Sequence, residues 1–526
     1  MVGRRRTESC ETCRKRRVKC DEVRPVCGQC AKKGRACSES PPQALIWVKR
    51  GQQSKDTQAI VVLEHESTEP DETERRNPIT SLNLVQAKEM RHGAKFQSFR
   101  LTRKPPLEEA APRQSPAMSN EDMLRSKFIR AYQDAPCGYN LSFWGSRYSC
   151  LPRYLGKSEV LDAAVTCLLE VHAGLVRGDH GPQRLIQVTY NRALSLMQQG
   201  LRECSPASRA TTLCAISMLA WAEGFSRNTP NLNYITHQAG ISTFIEHYGL
   251  SCAEDELGRA VVYSSGGAIF MIAVLKGKDD FMQDSSWRSI TVARKYETCP
   301  FQRLHNRTTW HLHQISTIVQ DIRSLSAQEP RKEEAEDLIG RCLDLKASAA
   351  NILVRLDTLL QSEPGRISST ASDDETCPQE LKYWFMDHTT SITATYVWTL
   401  IIYINSLLAT IGRYLPSGRS SQWSESTQLN AQAESHKLAT NILMTVEYAK
   451  SLAPLGSSFM NFPMVIAWGV MGPGLKDWAL RSLNEMTQDL LIPHTPWLLG
   501  SMVSVFTGAS LSLEDIIEKA QQDMSG

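Results

Sequence analysis

The chain has 526 residues, 41% of them apolar and 22% charged, a length that exceeds one compact core and a balance that excludes a wholly disordered polymer. Its formal charge of +3 conceals an asymmetry, because residues 1–50 carry fourteen Lys/Arg against five acids, net +9, and the remainder carries −6. A small basic head on a mildly acidic body points to a polyanion met by the head alone.

No apolar run follows the first basic residues, so the start does not read as a secretory signal. Fifteen cysteines are then expected as free thiols or metal ligands rather than a disulfide framework. Six of them form a cluster, Cys10, Cys13, Cys20, Cys27, Cys30 and Cys37, with spacing C-x2-C-x6-C-x6-C-x2-C-x6-C. Adding 17 to the first three positions gives the last three, so the cluster is an internal repeat. Structural zinc takes four ligands in a tetrahedron and favours thiolate. Two zincs need eight ligand positions, and six cysteines supply them if one thiolate from each half is shared. One four-cysteine site with two spare thiols, or a metallothionein-like sink, accounts less well for the repeat.

The segment from Cys10 through Cys37, with Cys10-Glu-Thr-Cys13-Arg-Lys-Arg-Arg-Val-Lys-Cys20 as its first half, resembles the fungal Zn2Cys6 binuclear zinc cluster family of transcription factors. The resemblance implies that Cys10 and Cys27 bridge the two zincs, that Cys13 and Cys20 complete one site, and that Cys30 and Cys37 complete the other. It places Pro25 at the proline of the loop joining the halves. It also puts Arg16 and Arg17 beside the bases of CGG-type triplets, although relatives often carry lysine at the second of these positions. Arginine pairs with guanine in bidentate fashion, worth roughly 1–3 kcal/mol of discrimination.

The spacer Arg14, Lys15, Arg16, Arg17, Val18, Lys19 is expected to form one short reading helix bearing five cations. Of these, Arg14, Lys15 and Lys19, together with Lys32 and Lys33, are assigned to phosphates, which position a module without specifying sequence. Arg4 to Arg6 and the run from Arg14 add a basic signal of the nuclear-import kind.

Residues 1–9 thus read as a basic tail, 10–37 as the cluster, 38–118 as a mostly disordered linker, and 119–526 as an all-α domain of packed helical hairpins. The linker reading rests on Pro41-Pro42, the acidic run Glu64 to Glu74, Pro105-Pro106 and the stretch Pro112 to Ser119. No sustained heptad follows the cluster, so the chain either acts as a monomer or forms a homodimer through its C-terminal domain.

In the large region Ser158 is expected to cap a helix with Leu161, Val165, Leu168 and Leu175 inward. A second helix is expected to start near Pro182 and bury Ile186, Tyr190, Ala193 and Met197; further helices are expected over 211–225 and 234–248, the latter stopped by Gly249. The uncharged stretch Thr389 to Gly412 reads as a buried core helix rather than a membrane span, with no second such stretch beside it. This region also resembles the C-terminal regulatory domain of one branch of fungal zinc cluster factors, through Leu141 to Gly145, His237 to Gly240 with Phe244 to Gly249, and Phe281 to Trp287.

No catalytic set stands out. Gly277-Lys278 lacks the glycine spacing of a phosphate loop, and His311 and His313 read as surface or packing histidines with no carboxylate nearby in sequence. His237 reads as a hydrogen-bonded helix residue, the nine other cysteines as small buried apolar groups, and Asp373 to Glu375 as a solvated acidic patch. The expectation is a nuclear, non-enzymatic transcription factor with two Zn²⁺ ions, partnered by double-stranded DNA and by transcription machinery or coregulators, with no membrane. A pathway-specific regulator, for instance of a secondary-metabolism gene cluster, is the leading reading. A repressor or nutrient-response regulator with the same module is the alternative, and an enzyme with an appended zinc module the last.

Overall fold

The structure is a computed structural model, and it describes residues 11–16, 18–21, 26–35, 37, 62–63, 82–89, 95–101, 118–143, 146–179, 187–226, 232–292, 299–327, 332–415, 423–488, 490, 493–511, 516 and 519. The chain divides into two units, 1–117 and 118–526.

In the first unit, α1 (Glu11–Lys15) and α2 (Gly28–Ala31) flank the cysteines. Their starts are 17 residues apart, the offset of the cysteine repeat. The same unit holds β1 (Val62–Leu63), β2 (Leu82–Glu89) and β3 (Lys95–Leu101), in sheet order β1-β3-β2. These strands fall inside the span 38–118 that the sequence reads as a mostly disordered linker. The antiparallel register sets Leu82 opposite Leu101 and Leu84 opposite Phe99, an apolar pairing that a reading weighted by prolines and acids passes over. Pro41-Pro42, Glu64 to Glu74 and Pro105-Pro106 lie outside the described residues.

The second unit is predominantly helical. It opens with α3 (Asn120–Ile129), α4 (Glu159–Val176), α5 (Gln187–Arg202), α6 (Arg209–Ser226), α7 (Leu232–Tyr248), α8 (Glu256–Lys276) and α9 (Ser285–Thr291). Ser158 caps α4 by accepting from the Leu161 amide, and Leu161, Val165, Leu168 and Leu175 are buried. This is the expected helix with the expected inner face, and α4, α5, α6 and α7 pack in successive neighbouring pairs. Tyr190, Ala193 and Met197 are buried on α5, whereas Pro182 and Ile186 lie outside the described residues. Gly249 ends α7 with a φ of 60°, a left-handed turn that glycine enters without penalty.

A second core forms around α10 (Pro300–Ala327), α11 (Lys332–Ser362), α12 (His388–Gly412), α13 (Glu425–Met444), α14 (Val446–Ser451), α15 (Asn461–Val470), α16 (Pro473–Thr487) and α17 (Pro496–Phe506). The uncharged α12 lies at its centre, packed on α10, α11, α13 and α15. Several of its hydroxyls are satisfied within the helix: Thr395 and Thr399 donate to the carbonyls four residues back at 2.6 and 2.7 Å. Burying them therefore leaves no hydrogen-bonding group stranded. A second helix, α8, is also long and apolar enough to cross a membrane, which the sequence reading did not foresee; it is 67% buried over its most apolar window, against 78% for α12.

This unit is not purely helical. Strands β4 (Ile367–Ala371) and β5 (Leu381–Phe385) form an antiparallel hairpin between α11 and α12. Lys382 ties it to α14 through Glu447 at 2.9 Å and also bonds Asp373. Asp374 lies 3.7 Å from Lys450. Part of the acidic patch at 373–375 is thus engaged in ion pairs rather than simply solvated, because the hairpin brings basic residues from elsewhere in the chain against it. Of the nine dispersed cysteines, Cys150, Cys167, Cys214, Cys252 and Cys342 are buried. Burial pushes the Cys167 and Cys342 thiols up to about 12, so they stay protonated as small apolar groups.

Ile401 is fully buried in α12, whereas Val354 on α11 is 63% exposed. Ile401→Ala is expected to cost about 2–5 kcal/mol, and Val354→Ala no more than about 0.5 kcal/mol. Shifts in the denaturant midpoint of the full chain measure the contrast.

Candidate metal centre and nucleic-acid interface

The amino-terminal unit gathers its cysteines around two short helices. Cys13 sits within α1, and Cys27 immediately precedes α2 and caps it, its Sγ accepting from the Cys30 amide at 3.4 Å. The Cys27 amide donates in turn to Cys37 Sγ at 3.4 Å. Cys13, Cys27 and Cys30 are buried, while Cys20 and Cys37 are half-buried and packed against them. The sulfurs of Cys27 and Cys37 each accept a backbone amide in this way.

Two sets of three sulfurs result. Those of Cys13, Cys20 and Cys27 lie within 4.8 Å of one another, and so do those of Cys27, Cys30 and Cys37. Cys27 belongs to both. The Cys13–Cys27 separation is 3.6 Å and the Cys13–Cys30 separation 4.0 Å. Tetrahedral thiolates at the usual Zn–S distance stand about 3.8 Å apart, so the donor set fits zinc in both spacing and chemistry. Cys10 and Pro25 lie outside the described residues.

The cations surround this buried sulfur core. Lys15, Arg16, Lys19, Lys32 and Lys33 are all exposed, Arg14 belongs to α1, and Arg17 lies outside the described residues. The expected helix spanning the whole basic spacer does not form. α1 ends at Lys15, Arg16 is in a turn, and the Val18 amide reaches back to the Cys13 carbonyl at 3.1 Å. Returning Cys20 to the sulfur cluster requires the chain to leave the helix early, which moves Arg16 and Lys19 off it. The result is a basic collar around a compact core, a form suited to a polyanion.

Asp21 is a contributor that the sequence reading missed. Its carboxylate accepts from the Gly28 amide at 3.0 and 2.8 Å through its two oxygens, at the start of α2. A Cβ on residue 28 would stand 2.3 Å from Asp21 Oδ2, so glycine there makes room for the cap. Its signal in the sequence was an acid directly after the third cysteine with a glycine directly after the fourth.

In the helical unit, His313 Nδ1 lies 2.6 Å from Asp280 Oδ2, both buried. His313 is a packing histidine, and Asp280, 33 residues away in sequence, is brought to it by the turn before α9. His311 Nδ1 bonds the Arg307 carbonyl at 2.8 Å within α10, and His237 stands 3.5 Å from Glu223.

Comparison with known proteins bears on the first unit. Residues 8–44 match the family described as the fungal Zn(2)-Cys(6) binuclear cluster domain. The "Sorbicillinoid biosynthetic cluster transcription factor sor3" of Hypocrea jecorina (strain QM6a) is 51% identical over 45 residues, covering 9% of this chain and 7% of that protein. The "C6 finger domain transcription factor hasF" of Aspergillus fumigatus (strain CBS 144.89 / FGSC A1163 / CEA10) is 52% identical over 44 residues, covering 8% and 6%. The "Transcription activator AMTR1" of Alternaria alternata is 62% identical over 32 residues, covering 6% and 4%. The chain therefore aligns with less than a tenth of the length of each of these relatives. No solved structure matches the chain.

Loss of the Asp21 cap is open to direct measurement. Asp21→Ala is expected to remove about 1 kcal/mol of local stability, read as roughly fivefold faster hydrogen exchange of the Gly28 amide in the zinc-loaded protein.

Proposed function

We propose that the chain is a zinc-dependent, sequence-specific DNA-binding regulator of transcription by RNA polymerase II, acting in the nucleus and without enzymatic activity of its own. The observation that carries the reading is Cys27, whose sulfur belongs to both thiol triads inside a collar of exposed cations. On this reading residues 10–37 hold two Zn²⁺ ions. Cys27 bridges them with Cys10, Cys13 and Cys20 complete one site, and Cys30 and Cys37 the other. Arg16 and Arg17 read base edges of CGG-type sites, while Arg14, Lys15, Lys19, Lys32 and Lys33 meet phosphates. The family matched by residues 8–44 and the transcription-factor names of the relatives support this assignment.

Residues 119–526 then serve as the regulatory region that receives a signal and contacts coregulators, for a specific gene set such as a biosynthetic cluster. That role is named for one of the relatives. Residues 38–118 connect the two, and a homodimer forms, if at all, through the helical unit.

Metal content tests the centre. Mass spectrometry of the purified full chain is expected to find two zincs per molecule, and Cys27→Ala is expected to lose both together with DNA binding, since metal binding and folding are one event in such modules. Retention of two zincs and full affinity would overturn the bridging assignment.

DNA titrations test the interface. Lys32→Ala is expected to weaken all duplexes alike and to flatten the log–log salt dependence by about 0.9. Arg16→Ala is expected to cost about 1–3 kcal/mol on a CGG duplex and much less on a scrambled one. Equal losses on both duplexes would refute direct reading by Arg16.

A further inference from the structure

Strand β4 of the helical unit lies at an open edge. Its principal neighbour among the described residues is β5, and the ladder between them runs regularly from Ile367 opposite Phe385 to Ala371 opposite Leu381. Two bonds flank that ladder. The Met386 amide donates to the Arg366 carbonyl at 2.9 Å, and the Ser372 amide donates to the Glu380 carbonyl at 3.0 Å. They fix the antiparallel alternation, in which every second residue turns both backbone groups toward the partner strand. Arg366, Ser368, Thr370 and Ser372 therefore face β5, while Ile367, Ser369 and Ala371 present three N–H and three C=O groups to the other side. No hydrogen bond reaches these six groups among the described residues.

Edges of this kind are ordinarily blunted by charge, proline, a bulge or a covering element. The first three are missing from β4. Its residues Ile367, Ser368, Ser369, Thr370 and Ala371 are uncharged, its register has no shift, and from Ser368 onward it is exposed. The flanking charges are already engaged, Arg366 with Glu363 at 2.7 Å and with Asp387, and Asp373 with Lys382. On β5 and just beyond it Leu381, Trp384 and Met386 are exposed as well, by 48%, 45% and 72%. Large apolar side chains thus stand close to backbone groups that lack a partner.

We propose that β4 pairs antiparallel with β4 of a second copy of this chain, centred on Ser369, to give one continuous sheet in the order β5-β4-β4-β5. In that register the outward N–H groups of each strand meet the outward C=O groups of the other, so all six on each strand are satisfied. The side chains agree with it. Ala371, already opposite Leu381, falls opposite Ile367 of the second copy, which is itself opposite Phe385. An apolar row of four residues crosses the sheet, and the two-fold symmetry makes it twice. Ser369 meets its own copy on the axis, where no charge opposes another. Antiparallel pairing also brings the Arg366 end of each strand to the Asp373 end of the other, whereas a parallel one would oppose like ends. This self-complementarity selects a second copy over an unrelated strand. Five residues bury less than the roughly 1,200–2,000 Å² of a stable interface, so the association is weak and reversible. It gives the helical unit a dimer surface and does not rest on the DNA-binding reading.

Sedimentation equilibrium of the zinc-loaded full chain, in reductant and without DNA, is expected to show a monomer–dimer equilibrium. Ser369 is exposed, so Ser369→Lys and Ser369→Glu are expected to keep the wild-type Tm while setting like charges face to face on the axis. Each is expected to weaken self-association by about tenfold or more, and an equimolar mixture of the two to restore it. Ser369→Pro removes an N–H that β5 does not use, and is expected to weaken the dimer likewise with the β4–β5 ladder intact. A chain that stays monomeric up to its solubility limit would overturn the proposal and leave the edge to a strand of another protein. Self-association unchanged in both charged variants would overturn it too, as would a mixture that recovers nothing. The mixture decides alone if Ser369→Pro does not fold. With no DNA present, these outcomes are separate from those of the duplex titrations.

Discussion

The close approach of sulfurs around Cys27 is the contact on which the amino-terminal unit depends. Among its described residues the buried side chains are Cys13, Cys27 and Cys30, with Cys20 and Cys37 packed against them. That is no hydrophobic core in the ordinary sense. Thiolates at 3.6 to 4.0 Å repel one another unless a cation lies between them, so the arrangement and the metal presuppose each other. The collar of Lys15, Arg16, Lys19, Lys32 and Lys33 follows from the same constraint. With the interior taken up by sulfur, long charged side chains have only the outside to occupy.

The helical unit rests on different physics. Its interior is built by burial, with Ile401, Tyr403 and Leu407 of α12 all fully covered, and several of its polar side chains enter it with partners. Thr395 and Thr399 use their own helix, Asn405 reaches Ser435 at 3.0 Å, and Lys382 takes Glu447.

What was legible in the sequence follows from how local each signal is. The Ser158 cap is written within one helical turn and the inner face of α4 within a single amphipathic run, and the structure contains both; the cysteine repeat is a spacing visible in the chain itself. The uncharged run in α12 was also readable, although its hydroxyls could not decide its setting, since they bond back to the helix in water or lipid alike. The missing parts were long-range or depended on turn geometry. Asp280 meets His313 across 33 residues, and Lys382 meets Glu447 across 65. The early end of α1 is set by the return of Cys20, which spacing alone does not reveal. The strands β2 and β3 carry their apolar pairs in a stretch whose composition speaks of loops.

The double membership of Cys27 has a consequence for how such a centre fills. A sulfur shared by the two triads ties the sites of the proposed centre to one another, so what fills or empties one bears on the other.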